Sequence, residues 1–242
     1  LEELVKTKNI GVIKMEVYRN KEPENNFLHR VRKLANEHNI VLVFDECTSG
    51  FRKNFGGLHK LYDVEPDVAM FGKALGNGYA VTAVLGKREV MQAAEKSFIS
   101  STFWTERIGS SAALATLKAM DKEKSWEKIT SMGEEINKEW IKLSQEYELP
   151  ITISGLAALT TFTFKSKNAL AYKTLITQEM LKKGYLAATA VYVCTAHTPE
   201  IIKTYLENLK PLFQTIKECE EGRDIMTLLE GPIAHGGFKR LN

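Results

Sequence analysis

The chain has 242 residues, of which 44% are apolar and 26% are charged, a composition typical of a soluble globular protein with a sizeable core. The formal net charge is only +3, with acidic and basic residues interspersed, which argues against a nucleic-acid partner or a membrane surface. The three cysteines lie far apart and form no disulfide framework, so a cytoplasmic location is expected. The histidines stand alone, which argues against a metal site, and no apolar run is long enough for a membrane span.

The first part of the chain has the pattern of a βαβ unit. Residues 9–17 predict a buried strand, and a helix is expected from about Asn26 to a stop at Asn39. The continuous apolar run IVLVF at residues 40–44 is typical of a strand covered on both faces, as in a parallel sheet. We therefore expect an α/β fold with a right-handed crossover.

Further elements follow in the same region. Residues 68–71 form another apolar run, and residues 80–86 predict one more strand. A short helix is expected over roughly 87–96, and an alanine-rich helix over roughly 108–120.

The character changes near residue 121, where we place a domain boundary. The predicted elements after it are a long amphipathic helix from about Ser125 to Pro150, strands at ITISG and LTTFTF, a helix over 168–183, a strand over 185–195, and a last helix opened by Thr198-Pro199. Pro211 is expected to kink or end that last helix. We therefore divide the chain into residues 1–120 and residues 121–242, which the family resemblance described below implies to be the C-terminal part of a large domain with a mainly parallel sheet and a smaller α+β domain.

Asp45 and Lys73 are the candidate catalytic residues. Each follows an apolar strand, and ligands of parallel sheets bind beyond the carboxyl ends of the strands. A lone Asp there is commonly a cap, and a lone Lys is commonly solvated, so either residue alone has an ordinary explanation. Together they match a pyridoxal phosphate (PLP) site, in which a lysine forms a Schiff base and an aspartate pairs with the pyridinium nitrogen.

Three motifs resemble those of the class III PLP-dependent aminotransferases. They are VLVFDECTSGFR, PDVAMFGKALGNGYAVTAVLG and SSTFWTERIGSSAALATLKAM, in family order. The branch that they resemble most is glutamate-1-semialdehyde 2,1-aminomutase and its relatives. The resemblance implies PLP-dependent transferase fold type I and amino-group transfer between an amine donor and a carbonyl acceptor, as an aminotransferase or an aminomutase.

The resemblance also implies roles for individual residues. Lys73 would form the Schiff base and move the proton, and Asp45 would hold the ring nitrogen protonated. Glu46 would orient the site without reacting. Thr102 matches a threonine that binds the cofactor phosphate of the other subunit, which implies a homodimer with a shared active site, and Ser101 is a weaker candidate for the same contact. The glycines near Lys73 are interpreted as room for cofactor and substrate, with a simple turn as the alternative.

The chain departs from the family pattern at several positions. The family's Glu-Pro segment appears as Met-Glu-Val at residues 15–17, and Arg19 could bind a substrate carboxylate or be solvated. The roles of Glu106 and Arg107 stay open. The family's phosphate cradle and its ring-stacking aromatic residue are not recognisable. We therefore expect this chain to be the C-terminal part of an enzyme that binds PLP weakly or not at all without an N-terminal half.

Two other functions are alternatives for this chain. A non-catalytic assembly module could retain the fold without the chemistry. Dinucleotide binding would require GNGYAV at residues 76–81 to open a helix, but this stretch precedes a predicted strand.

Overall fold

The computed structural model describes residues 1–18, 20–102 and 106–236. The chain divides into two compact units, Leu1–Lys128 and Ile129–Asn242. Its α-helices are α1 (Glu2–Thr7), α2 (Phe27–Glu37), α3 (Arg88–Met91), α4 (Ile108–Glu123), α5 (Ser125–Glu146), α6 (Ala169–Lys182) and α7 (Pro199–Glu220). Its strands are β1 (Val12–Met15), β2 (Val41–Asp45), β3 (Val68–Phe71), β4 (Ala83–Gly86), β5 (Ile151–Ser154), β6 (Leu159–Phe164) and β7 (Ala190–Tyr192). In these ranges no helix is both long and apolar enough to cross a membrane.

The first unit is built on a four-stranded sheet with the order β1-β2-β3-β4. The strands β1, β2 and β3 run parallel, and β4 pairs antiparallel with β3. Leu42 and Phe44 of β2 are fully buried, and each contributes about 2 kcal/mol through the apolar area it removes from water. The continuous apolar run therefore forms the centre of the sheet, as its sequence predicts.

Helices cover the sheet through apolar and charged contacts. Leu28, Val31 and Ala35 form the buried face of α2. The carboxylate of Asp67, just before β3, accepts hydrogen bonds from the Arg32 side chain of α2 and from the Leu42 N–H, both at 2.8 Å. This contact fixes the crossover helix against the two strands that end at the candidate site.

The second unit is a three-stranded antiparallel sheet, β5-β6-β7, with a separate core. Trp140 of α5 and Phe162 of β6 are fully buried, with ring centroids 4.7 Å apart. The Trp140 indole N–H donates to the Tyr205 hydroxyl of α7 at 3.2 Å. The unit therefore has the α+β composition predicted for the C-terminal region, although the domain assignment itself stays a prediction.

Several expectations from the sequence are wrong in detail. The strand predicted over residues 9–17 is shorter in the structure, where only β1 forms and Ile13 is its buried residue. Within the described chain, β1 pairs with β2 alone. The strand predicted over residues 185–195 shortens to β7, which pairs with only three residues of β6. The short helix α1 was not predicted.

The helix α7 continues through Pro211 to Glu220. Of the two outcomes expected at Pro211, an end of the helix is therefore wrong, and a kink stays a prediction. An interior proline costs about 3 kcal/mol through the lost backbone hydrogen bond and its clash. Leu209, Leu212 and Phe213 are buried around it, and each such side chain contributes roughly 1.5–3 kcal/mol. Their burial outweighs the proline penalty.

Candidate active site

The carboxyl ends of β2 and β3 bring Asp45 and Lys73 to one edge of the sheet. Asp45 is in register with Met70 across the parallel pair, and adjacent strands lie about 4.8 Å apart. The Glu46 N–H donates to the Met70 carbonyl at 2.9 Å, which extends this pairing past the end of β2. Lys73 follows Met70 by three residues, so both side chains start from the same end of neighbouring strands.

Lys73 has a strained backbone that is held by a turn. Its φ is 44°, a left-handed conformation that costs a non-glycine residue on the order of 1 kcal/mol. The N–H groups of Gly76 and Asn77 both donate to the Lys73 carbonyl, at 3.1 and 3.0 Å. The side chain is exposed, and its Nζ donates to Thr48 Oγ1 at 2.6 Å. The turn that follows β3 therefore holds the backbone of Lys73 in place, and the catalytic role of the residue stays a prediction.

Asp45 is an ionised carboxylate with two hydrogen-bond donors. Its Oδ2 lies 3.0 Å from Lys14 Nζ, and its Oδ1 accepts the Cys47 N–H at 3.2 Å. Burial raises the pKa of Asp45, but the hydrogen bonds from Lys14 and Cys47 outweigh burial, so the pKa lies below its ordinary value. At neutral pH the edge therefore presents an anion on β2 beside an amine that follows β3.

The glycines beside Lys73 have a steric explanation in the turn. A Cβ on Gly76 would lie 2.1 Å from the Tyr79 carbonyl oxygen, which no side chain tolerates. A Cβ on Gly72 would meet Thr82 Cγ2 at 3.3 Å and Cys47 Sγ at 3.5 Å. For Gly76 the packing favours the turn interpretation over room for a cofactor.

Glu46 lies in a buried polar network. Its side chain is fully buried, its Oε1 accepts the His59 N–H at 2.9 Å and contacts His59 Nδ1 at 2.9 Å, and Ser49 Oγ donates to its Oε2. Burial raises the pKa of Glu46, but the hydrogen bonds from His59 and Ser49 outweigh burial, so the pKa lies below its ordinary value. This geometry suits the predicted orienting role, because both oxygens are engaged in fixing the loop that follows β2.

The segment before α4 holds the predicted phosphate-binding residues. Ser101 and Thr102 are both exposed there, and their roles stay predictions. Glu106, whose role the sequence left open, accepts hydrogen bonds from the N–H groups of Ile108 and, at 3.3 Å, Gly109, and so satisfies two backbone donors at the start of α4. Residues 103–105 and Arg19 lie outside the described residues.

Three residues at this edge were missed by the sequence reasoning: Lys14, Cys47 and Thr48. A signal for Lys14 was present, since a lysine interrupts the apolar strand Val12–Met15. Cys47 and Thr48 follow the Asp-Glu pair directly, but nothing in the sequence distinguishes them from other turn residues.

Comparisons with curated proteins give the following matches. Residues 20–227 match the profile of the family described as Aminotransferase class-III. The 3-aminobutyryl-CoA aminotransferase of Cloacimonas acidaminovorans (strain Evry) is 34% identical over 202 residues, covering 81% of this chain and 49% of that protein. The glutamate-1-semialdehyde 2,1-aminomutase of Nitrosopumilus maritimus (strain SCM1) is 31% identical over 216 residues, with 81% and 50% coverage. The chain thus spans about half the length of the curated relatives it matches.

Solved structures share the fold. The FumI protein of Sphingopyxis sp. MTA144, in its PLP internal aldimine form, matches with a TM-score of 0.83 at 21% identity, over 94% of this chain and 57% of that one. The ornithine delta-aminotransferase of Plasmodium falciparum matches with a TM-score of 0.77 at 19% identity, over 90% and 60%. The predicted α/β architecture of PLP-dependent transferase fold type I is confirmed.

Proposed function

The chain belongs to the class III aminotransferase family, and on that premise we propose that it carries the lysine-bearing part of a PLP-dependent aminotransferase or aminomutase. The enzyme transfers an amino group between an amine donor and a carbonyl acceptor. The observation that carries the proposal is the position of Asp45 and Lys73 at the carboxyl ends of two neighbouring parallel strands, where Asp45 is in register with Met70, three residues before Lys73.

The residues at this edge fit pyridoxal phosphate. The cofactor has an aldehyde that takes an amino group and a ring nitrogen that, when protonated, makes the ring an electron sink. Lys73 supplies an amine for the aldehyde, and Asp45 supplies an anion for the protonated nitrogen. The low pKa of Asp45, to which Lys14 contributes, keeps the carboxylate ionised for that contact.

The chemistry then divides between the two side chains. With the cofactor bound, the Lys73 amine would be the base that takes a proton from the substrate carbon and donates it back. Thr48 Oγ1 accepts a hydrogen bond from Lys73 Nζ and so gives the released amine a resting position. Asp45 holds its charge throughout, and the Glu46 network keeps the adjoining loop in place.

The complete activity requires more than this chain. The matched region covers only about half the length of these relatives, and we propose that a region equivalent to their other half supplies the phosphate cradle and the ring-stacking aromatic residue. Two copies are proposed to form a homodimer in which Thr102, with Ser101 beside it, reaches the phosphate at the partner's site. The cytoplasmic location also stays a prediction.

The choice between aminotransferase and aminomutase concerns the substrate alone. The relatives include a protein named for 3-aminobutyryl-CoA and one named for glutamate 1-semialdehyde. Both reactions use the same lysine and aspartate, because an aminomutase runs the two half-reactions on one molecule. The proposal therefore covers both.

A half-reaction assay tests the function. The full-length protein with PLP is expected to lose its visible absorbance band when an amine donor is added and to regain it with a carbonyl acceptor. The variant Lys73→Ala should show neither change, whereas Lys60→Ala, at another exposed lysine of the same unit, should behave as the wild type. A full-length protein with no such band at saturating PLP would favour the non-catalytic assembly module instead.

A further inference from the structure

Lys14 reaches the candidate site from the first strand of the sheet. It is in register with Val43 of β2, and Val43 and Asp45, two residues apart on one strand, point to the same face. The stem of Lys14 therefore runs along that face toward the carboxyl ends of the strands. Its Nζ ends 3.0 Å from Asp45 Oδ2.

The setting of this ion pair differs from that of the ordinary surface pairs of the chain. Lys21 and Glu24, for example, lie three residues apart in one loop with side chains that are 78% and 59% exposed. The Asp45 side chain is only 24% exposed, and its second oxygen is held by the Cys47 N–H. With both oxygens engaged, the plane of the carboxylate is fixed.

We propose that Lys14 is a positioning residue of this site, whose ammonium holds the Asp45 carboxylate ionised and in one orientation at the edge shared with Lys73. The inference rests on the proposed function, which gives Asp45 the task of binding a protonated ring nitrogen. A carboxylate that is already ionised and oriented accepts that hydrogen bond without first losing a proton or rotating.

The other charged groups near Asp45 do not replace Lys14. The Cys47 thiol has a pKa raised by burial and by the neighbouring Asp45, so it stays a neutral thiol. Glu46 is turned into its own buried network with His59. Lys73 is hydrogen-bonded to Thr48. Among the described residues, Lys14 is the cation in contact with the Asp45 carboxylate.

The test measures the pKa of Asp45 by carboxyl carbon-13 NMR in the full-length protein without cofactor. The variant Lys14→Met keeps the apolar stem and removes the charge, and it should raise the Asp45 pKa by roughly half a unit. Lys14→Arg should retain the wild-type value, and Lys21→Met is the control for loss of an exposed, paired lysine. Equal Asp45 pKa values in the wild type and Lys14→Met would overturn the inference, and so would an Asp45 pKa in Lys14→Arg that is raised as much as in Lys14→Met.

A second readout follows cofactor binding against pH. PLP binding should be lost as pH falls and Asp45 is protonated. Because removal of Lys14 raises the Asp45 pKa, the midpoint of this loss in Lys14→Met should lie at a pH higher than in the wild type by the same roughly half unit. The visible absorbance of the bound cofactor reports this binding. A wild-type protein that fails to bind PLP would refute the proposed function, while the NMR result in the cofactor-free protein would still decide the role of Lys14.

Discussion

The substitution Glu46→Gln tests whether this residue acts by holding the loop after β2. The Glu46 carboxylate accepts the His59 N–H, faces the His59 ring and accepts the Ser49 hydroxyl, all in a fully buried position. Glutamine has the same shape and preserves an oxygen for the His59 N–H. It removes the charge that strengthens all three contacts.

The loss of local stability expected in Glu46→Gln follows from those three contacts. A hydrogen bond to a charged group contributes roughly 1 kcal/mol more than a neutral one, so three contacts sum to about 3 kcal/mol. The carboxylate also carries a burial penalty that glutamine avoids, and we take about 2 kcal/mol as the remaining loss in local stability. Such a loss corresponds to an approximately 30-fold increase in the population of the locally opened loop.

Hydrogen–deuterium exchange in the full-length protein measures that population. Peptides covering residues 46–62 should exchange about 30-fold faster in Glu46→Gln, and peptides of the second unit should be unchanged. Glu65→Gln is the matched control, because Glu65 lies 3.9 Å from the other ring nitrogen of His59 but is 78% exposed. Unchanged exchange in Glu46→Gln, or an equal effect from Glu65→Gln, would refute the buried-network explanation.

Two further predictions concern the carboxylates of Asp45, which ends β2, and Asp67, which lies just before β3. Asp45→Asn should lower the turnover of the full-length enzyme by on the order of a hundredfold or more, with a smaller loss of PLP affinity, and a nearly wild-type kcat would contradict the electron-sink role. Burial raises the pKa of Asp67, but its bonds to Leu42, Lys87 and Arg32 outweigh burial and lower it. The Asp67 carboxylate therefore stabilises the fold fully above the pKa that Asp67 has in the unfolded chain. This stabilisation is lost as pH falls through the lower pKa that Asp67 has in the folded chain. Asp67→Asn should flatten this part of the acid unfolding curve, and a curve as steep as the wild type's would show that Asp67 contributes nothing there.

The strands β2 and β3 were predictable because each is a continuous apolar run, a pattern typical of strands inside a parallel sheet. The run before Asp45 and the run before Lys73 are continuous and apolar, and both become central strands. Since parallel neighbours end at the same edge, the pattern alone places the acid and the amine at the ends of adjacent strands, and their shared role stays a prediction. No local signal, however, shows how far the Lys14 side chain extends across two strands.

Other features depended on tertiary packing that the local sequence does not encode. Pro211 predicts a helix end locally, but the buried side chains around it keep α7 intact. The apolar stretch before residue 195 predicts a long strand, yet only β7 finds a partner in β6. The reason for Gly76 lies in the Tyr79 carbonyl, a contact that appears only when the turn closes.

The most direct test of the central claim is chemical fixation of the cofactor. The full-length protein is incubated with PLP and reduced with borohydride, and its peptides are analysed by mass spectrometry. We predict that the cofactor is attached at Lys73, and that Asp45→Asn weakens the attachment while Lys60→Ala leaves it unchanged. Attachment at another lysine with Lys73 unmodified, or no attachment at saturating PLP, would contradict the assignment of this edge of the sheet as the cofactor site.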